Sequence, residues 1–149
     1  MRTTVSCLSV RQPWAWLIVH GYKDIENRTW PTRHRGDTVI HAGLVFDNDG
    51  LLWVQARFPH LRPLLPERYD LGGAVGTCQV LRCVQSSDSP WFMGPHGFVL
   101  YGARPIAFAP MRGRLGFWEE PITERLHASL RGTATQAELA ASGQQGLFT

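Results

Sequence analysis

The spacing of apolar and polar positions changes period several times along the chain. Val5 to Val10 reads as a first strand, and Trp14, Leu17, Ile18 and Gly21 then share one face at helical spacing. Pro13 suits the first turn of that helix and Gly21 its end, which predicts about two turns with Trp14 in the core. From Asp24 to Trp30 the period falls to two. Asp24, Glu26, Arg28 and Trp30 point to one side of a strand, and Ile25, Asn27 and Thr29 to the other.

Further along, Asp37 to Gly43 reads as another strand, and Asn48 or Asp49 is placed to cap a helix through Leu52, Trp53 and Ala56. Pro59, Pro63 and Pro66 break regular structure. Gly73 to Gln85 and Gly97 to Phe108 read as long strands, with Gly76 and Gly102 as bends or bulges, and Arg114 to Trp118 as a last strand. Short strands with two early helices predict an α+β fold built on a small barrel or curled sheet. No glycine-rich dinucleotide loop, Walker loop, nucleophile elbow or paired-histidine helix is present.

The 149 residues fit one domain, with residues 122–149 as a short helix followed by a flexible tail. The N-terminus has no signal-like apolar core and no apolar run is long enough to span a bilayer, so a cytoplasmic protein without a membrane partner is expected. Cys7, Cys78 and Cys83 have neither even number nor metal-ligand spacing and read as buried free thiols. The six histidines lack paired spacing, so neither a metal nor another cofactor is expected.

Charge adds a sharper point. The net charge is only +3, but residues 1–36 carry Arg2, Arg11, Lys23, Arg28, Arg33 and Arg35 against Asp24 and Glu26. Such a patch attracts phosphates. The fifteen basic residues are fourteen arginines and one lysine, Lys23. A coding bias toward arginine accounts for the fourteen, and an ammonium's compact charge and burial-sensitive pKa give the one exception a chemical reading.

Residues 9–43, with Gln12-Pro-Trp-Ala15, the Gly21, Lys23, Glu26, Arg28 series, and Arg35-Gly36 leading into Ile40, His41 and Ala42, resemble an ASCH domain. The later segments around Gly73 and Gly97 extend the resemblance over roughly residues 5–118, within a domain spanning 1–121. The resemblance implies a PUA-like mixed or antiparallel β-barrel with two or three short helices and a basic cleft for RNA or DNA, including an unpaired or modified base. The surface it implies comprises Gln12, Lys23, Glu26, Asn27, Arg28, Trp30, Arg33, Arg35, His41, Trp91 and His96. Lys23 and Arg28 would meet phosphate, Glu26 would accept from a base edge, and Trp30 or Trp91 would stack. Trp91, before Gly94-Pro95-His96-Gly97, reads equally as a hydrophobic plug.

Some small ASCH proteins are amidohydrolases acting on acetylated cytidine through a lysine, a threonine three residues later and a distant glutamate. Lys23 matches that pattern, whereas Glu26 occupies the threonine position and Thr29 is out of register. Lys23 and Glu26 are therefore the catalytic candidates for a hydrolase or ribonuclease alternative. The tail ends Gln144-Gln145-Gly146-Leu147-Phe148-Thr149. Gln144, Leu147 and Phe148 resemble a bacterial sliding-clamp-binding peptide, which makes a clamp-associated adaptor a third reading.

Overall fold

A computed structural model describes residues 2–132. Its strands are β1 (Thr4–Gln12), β2 (Ile25–Arg28), β3 (Gly36–Phe46), β4 (Gly73–Val84), β5 (His96–Pro110) and β6 (Phe117–Pro121). The helices are α1 (Trp14–Val19), α2 (Asn48–Arg57) and α3 (Glu124–Arg131), with a 3-10 turn over Pro59–Leu64. The tail bearing Gln144, Leu147 and Phe148 lies outside the described residues. Among the described residues no helix is long and apolar enough to cross a membrane.

The expected α+β architecture is present as one six-stranded mixed sheet in the order β2-β5-β4-β3-β1-β6. β1 and β3 are parallel and every other pairing is antiparallel. The end strands β2 and β6 share no backbone ladder, so the sheet is curled without hydrogen-bonded closure. Side chains bridge the remaining gap. Arg28 Nη2 donates to Ser9 O of β1 at 2.8 Å, and Trp30, just beyond β2, packs edge-on against Phe98 of β5 and Phe117 of β6.

Helix α1 is a wedge between two apolar layers. Ala15, Ile18 and Val19 join Leu8, Val10, Ile40, Val80 and Phe98 in the core against the sheet. Trp16 and Leu17 face a second layer formed by Val54, Phe58, Leu61 and Trp91. A helix apolar all round belongs between layers, so the fully buried tryptophan is Trp16, and Trp14 is displaced to the rim, only partly buried. Gly21 ends the turn with φ +82°, and Tyr22 and Lys23 both donate their backbone N–H to Leu17 O, which sets Lys23 two residues before β2.

Three local expectations shift. Asp47, not Asn48 or Asp49, caps α2, accepting from Gly50 N at 2.8 Å while its own N–H donates to Gln12 O at 2.7 Å. The proline-rich stretch forms a 3-10 turn, with Pro59 at its start where no donor is lost. The last strand begins at Phe117, where pairing with Leu8 becomes available, and residues 111–116 form an exposed loop. Cys7 and Cys78 are buried free thiols as expected, and Cys83 is half-buried. Burial pushes the Cys7 and Cys78 thiols up to about 12, keeping both protonated at neutral pH.

Helix α3 docks on the sheet through Leu126, which joins Val5, Cys7, Val39 and Ile106. Arg104 of β5 donates to Leu130 O at 2.6 Å and Gly132 O at 2.9 Å, satisfying carbonyls at the helix end.

The β4 register slips between Ala74 and Gly76, where the strand passes beneath α1. A Cβ on Gly76 would stand 2.4 Å from Val19 Cγ1 and 2.5 Å from Arg104 O. Gly76→Ala is expected to cost about 1–3 kcal/mol through overpacking, read as a lower urea midpoint with an unchanged slope.

Candidate nucleic-acid interface

A cleft of about 750 Å³ opens between the β1–β2 seam, the start of α2 and residues 91–94. Its charged floor begins at Lys23, which is 4% exposed. The ammonium donates to Ile25 O and, at 3.1 Å, to Glu26 Oε1. It also lies 5.7 Å from the centroid of the Trp14 ring. An ammonium has three donors, so these two bonds leave one N–H for a ligand.

Glu26, itself 7% exposed, takes Lys23 on one oxygen and Arg28 on the other. Arg28 Nε and Nη2 approach Glu26 Oε2 at 3.0 and 2.9 Å. The two-residue period of β2 brings these side chains to the same side, as the alternation predicted. Burial first and then the Glu26 charge raise the Cys78 thiol, so the carboxylate that lines the cleft is also felt in the core.

The opposite wall comes from α2. Trp14 Nε1 donates to Asp47 Oδ2 at 2.9 Å, and that bond holds the Asp47 carboxyl below its usual value, with the Gly50 N–H and Arg11 contributing less. The helix can lie this close only because residue 50 is glycine: a Cβ there would be 2.5 Å from the Trp14 ring. Trp14 packs on Trp53, Trp53 on Trp91, and Trp91 stacks on Phe58 with centroids 4.2 Å apart. An aromatic series thus runs from the rim into the second layer, with Trp30 across the cleft beneath the Arg28 guanidinium.

Of the residues expected at the interface, Lys23, Glu26, Asn27, Arg28, Trp30 and Trp91 line this cleft. Asn27 is committed to the protein: Oδ1 accepts from Met93 N and Gly94 N, and Nδ2 donates to Trp91 O. It fixes the 91–94 wall. Trp91 is 6% exposed, so it combines both readings, a plug whose edge reaches the cleft.

Gln12, Arg33, Arg35, His41 and His96 lie outside the lining. Gln12 is buried, accepting from Trp16 N and donating to Asp70 O, and joins β1 to α1. His41 is buried between Ser9 Oγ and Met111 O. His96 pairs with Arg28 in the β2–β5 ladder. Arg33 and Arg35 are exposed, with Arg35 bonded to Thr32 O and His34 O. Among the described residues no three metal-ligating side chains gather.

Sequence reasoning did not place Trp14, Trp53, Asp47 and Gly50 here. The only local signal was the Asp-x-x-Gly turn opening α2; the pairing of that turn with Trp14 is long-range. The lining also balances its charges, with Arg11, Lys23 and Arg28 against Glu26, Asp47 and Asp49. Removal of Glu26 strands two cations, one of them buried. Glu26→Ala is therefore expected to cost about 3–5 kcal/mol in chemical denaturation, whereas replacement of exposed Arg33 by alanine leaves the midpoint unchanged within about 0.5 kcal/mol.

Residues 8–112 match the ASCH domain family model. Activating signal cointegrator 1 from Homo sapiens is 34% identical over 141 residues, covering 81% of this chain and 23% of the human protein. Its Mus musculus counterpart is 37% identical over 86 residues, covering 55% of this chain and 15% of the mouse protein. The chain thus spans under a quarter of the length of these relatives. A crystal structure of ASCH from Zymomonas mobilis aligns with a TM-score of 0.49 at 14% identity, covering 87% of this chain and 97% of that one. On the match over residues 8–112, which include β2 and the whole Lys23–Glu26–Arg28 series, the chain belongs to the ASCH domain family.

Proposed function

We propose that the cleft receives an unpaired or modified base of RNA or DNA. The observation that carries this reading is the placement of Trp14, Trp30 and Trp53 around a donor set, buried Lys23 and half-buried Arg28, already organised by Glu26. Aromatic faces take any base at about 1–3 kcal/mol each, and the fixed donors discriminate its edge. The cleft volume of about 750 Å³ falls in the range of sites that enclose small ligands. Because the lining charges balance, recognition in the cleft rests on stacking and hydrogen bonding, and phosphate attraction comes from arginines outside it. The ion pairs mean that Glu26 meets a base with only its remaining lone pairs, and Lys23 with its third N–H.

Trp53→Ala removes one stacking face while leaving the buried layer's Val54, Phe58 and Leu61 in place. It is expected to weaken oligonucleotide binding by about 5-fold to 100-fold, equivalent to the stacking energy of one base. Fluorescence anisotropy with labelled single-stranded RNA and DNA checks this, with circular dichroism confirming the fold. Unchanged affinity removes the cleft as the base site.

One observation favours hydrolysis as a second reading: Thr29, out of register in the sequence, lines the same cleft as Lys23 and Glu26. A hydroxyl in the same cleft as this pair is a candidate nucleophile for attack on an acyl group. Deacetylation of N4-acetylcytidine, followed by chromatography, is then expected for the wild type and lost in both Lys23→Ala and Thr29→Ala. Full turnover by Thr29→Ala rules out the hydroxyl, and no turnover by any form removes the hydrolytic reading.

A further inference from the structure

Residues 111–116, Met-Arg-Gly-Arg-Leu-Gly, join β5 to β6 and lie outside the cleft lining, yet both ends of the loop are fixed beside it. At the first end Met111 N donates to Gly72 O at 3.1 Å, and Met111 O accepts from His41 Nε2 at 2.7 Å. A carbonyl only accepts, so Nε2 carries the proton and, in the neutral ring, Nδ1 accepts from the Ser9 hydroxyl at 3.0 Å. Gly113 lies directly on this pair: a Cβ there would be 2.7 Å from His41 Cε1 and 3.4 Å from Ser9 Oγ. At the other end Phe117 packs edge-on against Trp30, with centroids 6.0 Å apart. Ser9 and Trp30 are both cleft-lining residues.

Between these anchors the loop presents Arg112, Arg114 and Leu115 to solvent, with Leu115 98% exposed. Among the described residues neither arginine is paired with a carboxylate. A second basic segment meets the same anchor. The ring of His34, between exposed Arg33 and Arg35, lies 4.6 Å from that of Phe117. Glu119, the carboxylate that acts on His34, is bonded to the hydroxyls of Thr4 and Ser6. Positive charge absent from the balanced cleft is therefore concentrated on its Trp30 side, on two segments packed about one phenylalanine.

We propose that the loop 111–116 is a backbone-binding site for single-stranded nucleic acid. Arg112 and Arg114 hold phosphates flanking the base in the cleft, and Leu115 packs against a neighbouring sugar or base. Guanidinium forks suit phosphate, and an almost fully exposed leucine gains from any apolar cover. His41 and Gly113 set the loop's root, so the arginines start from a fixed position. This site rests on the cleft acting as a base site, and the experiment separates the two.

The test uses the full chain with fluorescein-labelled 12-nucleotide RNA and DNA of one mixed sequence, titrated by anisotropy across a salt series. Arg112→Ala/Arg114→Ala is expected to bind about 10-fold more weakly at low salt, and loss of two phosphate contacts lowers the log–log salt slope by about 1.4. Leu115→Ser is expected to weaken binding about 3-fold with the slope unchanged, as removal of an uncharged contact requires. All three side chains are exposed, and circular dichroism verifies the fold. Unchanged affinity and slope in the double variant overturn the proposal, as does failure of the wild type to bind either 12-mer. If the double variant loses affinity while Trp53→Ala does not, the loop holds phosphate but the cleft reading falls, and with it the placement of those phosphates beside a bound base. The reverse pattern overturns the loop site and keeps the cleft.

Discussion

Glu26 is buried between Lys23 and Arg28, and the arrangement of the whole interface follows from keeping that carboxylate paired. A buried carboxylate without partners carries a desolvation cost of several kcal/mol, and its two oxygens here are shared between Arg28 of the same short strand and Lys23 just before it. The Arg28 guanidinium, once drawn to Glu26, has a further donor that reaches Ser9 O on β1. One charge thus connects the two strands whose backbones share no ladder, and the cleft is the space left above that connection.

The fourteen arginines and single lysine acquire a geometrical sense in this setting. At Arg28 the planar fork makes two contacts to one carboxylate oxygen and a third to a neighbouring strand, which a point charge would not span. At position 23 the space is enclosed by Trp14, Ile25 O and Glu26, and an ammonium fits where a guanidinium would demand more room. Elsewhere the arginines are largely on the surface, so the positive field belongs to the rim and the cleft interior is balanced.

The aromatic series explains how the cleft wall stays rigid. Trp14 at the rim is bonded to Asp47, and the rings of Trp53, Trp91 and Phe58 continue into the layer beneath α1. Asn27 secures the 91–94 segment with three hydrogen bonds to its backbone. Ligand-facing rings are therefore extensions of the core, held by packing before any ligand arrives, which lowers the entropy lost on binding.

Local pattern was enough to determine the α+β class, the approximate place of every strand, the short helix ended by Gly21, and the alternation that brings Glu26 and Arg28 to one side. These depend on residues adjacent in the chain, where periodicity and glycine or proline geometry act directly. It was also enough to single out Lys23. The tertiary structure alone decided that Trp14 leaves the core for the rim, that Gln12 and His41 act as internal struts, and that Trp53, Asp47 and Gly50 complete the cleft. Each of those outcomes turns on an approach between segments distant in sequence: α1 is buried on all sides because a second layer covers it, and α2 reaches Trp14 because glycine leaves no Cβ in the way. Periodicity encodes which face is apolar, but only packing determines how many faces are covered.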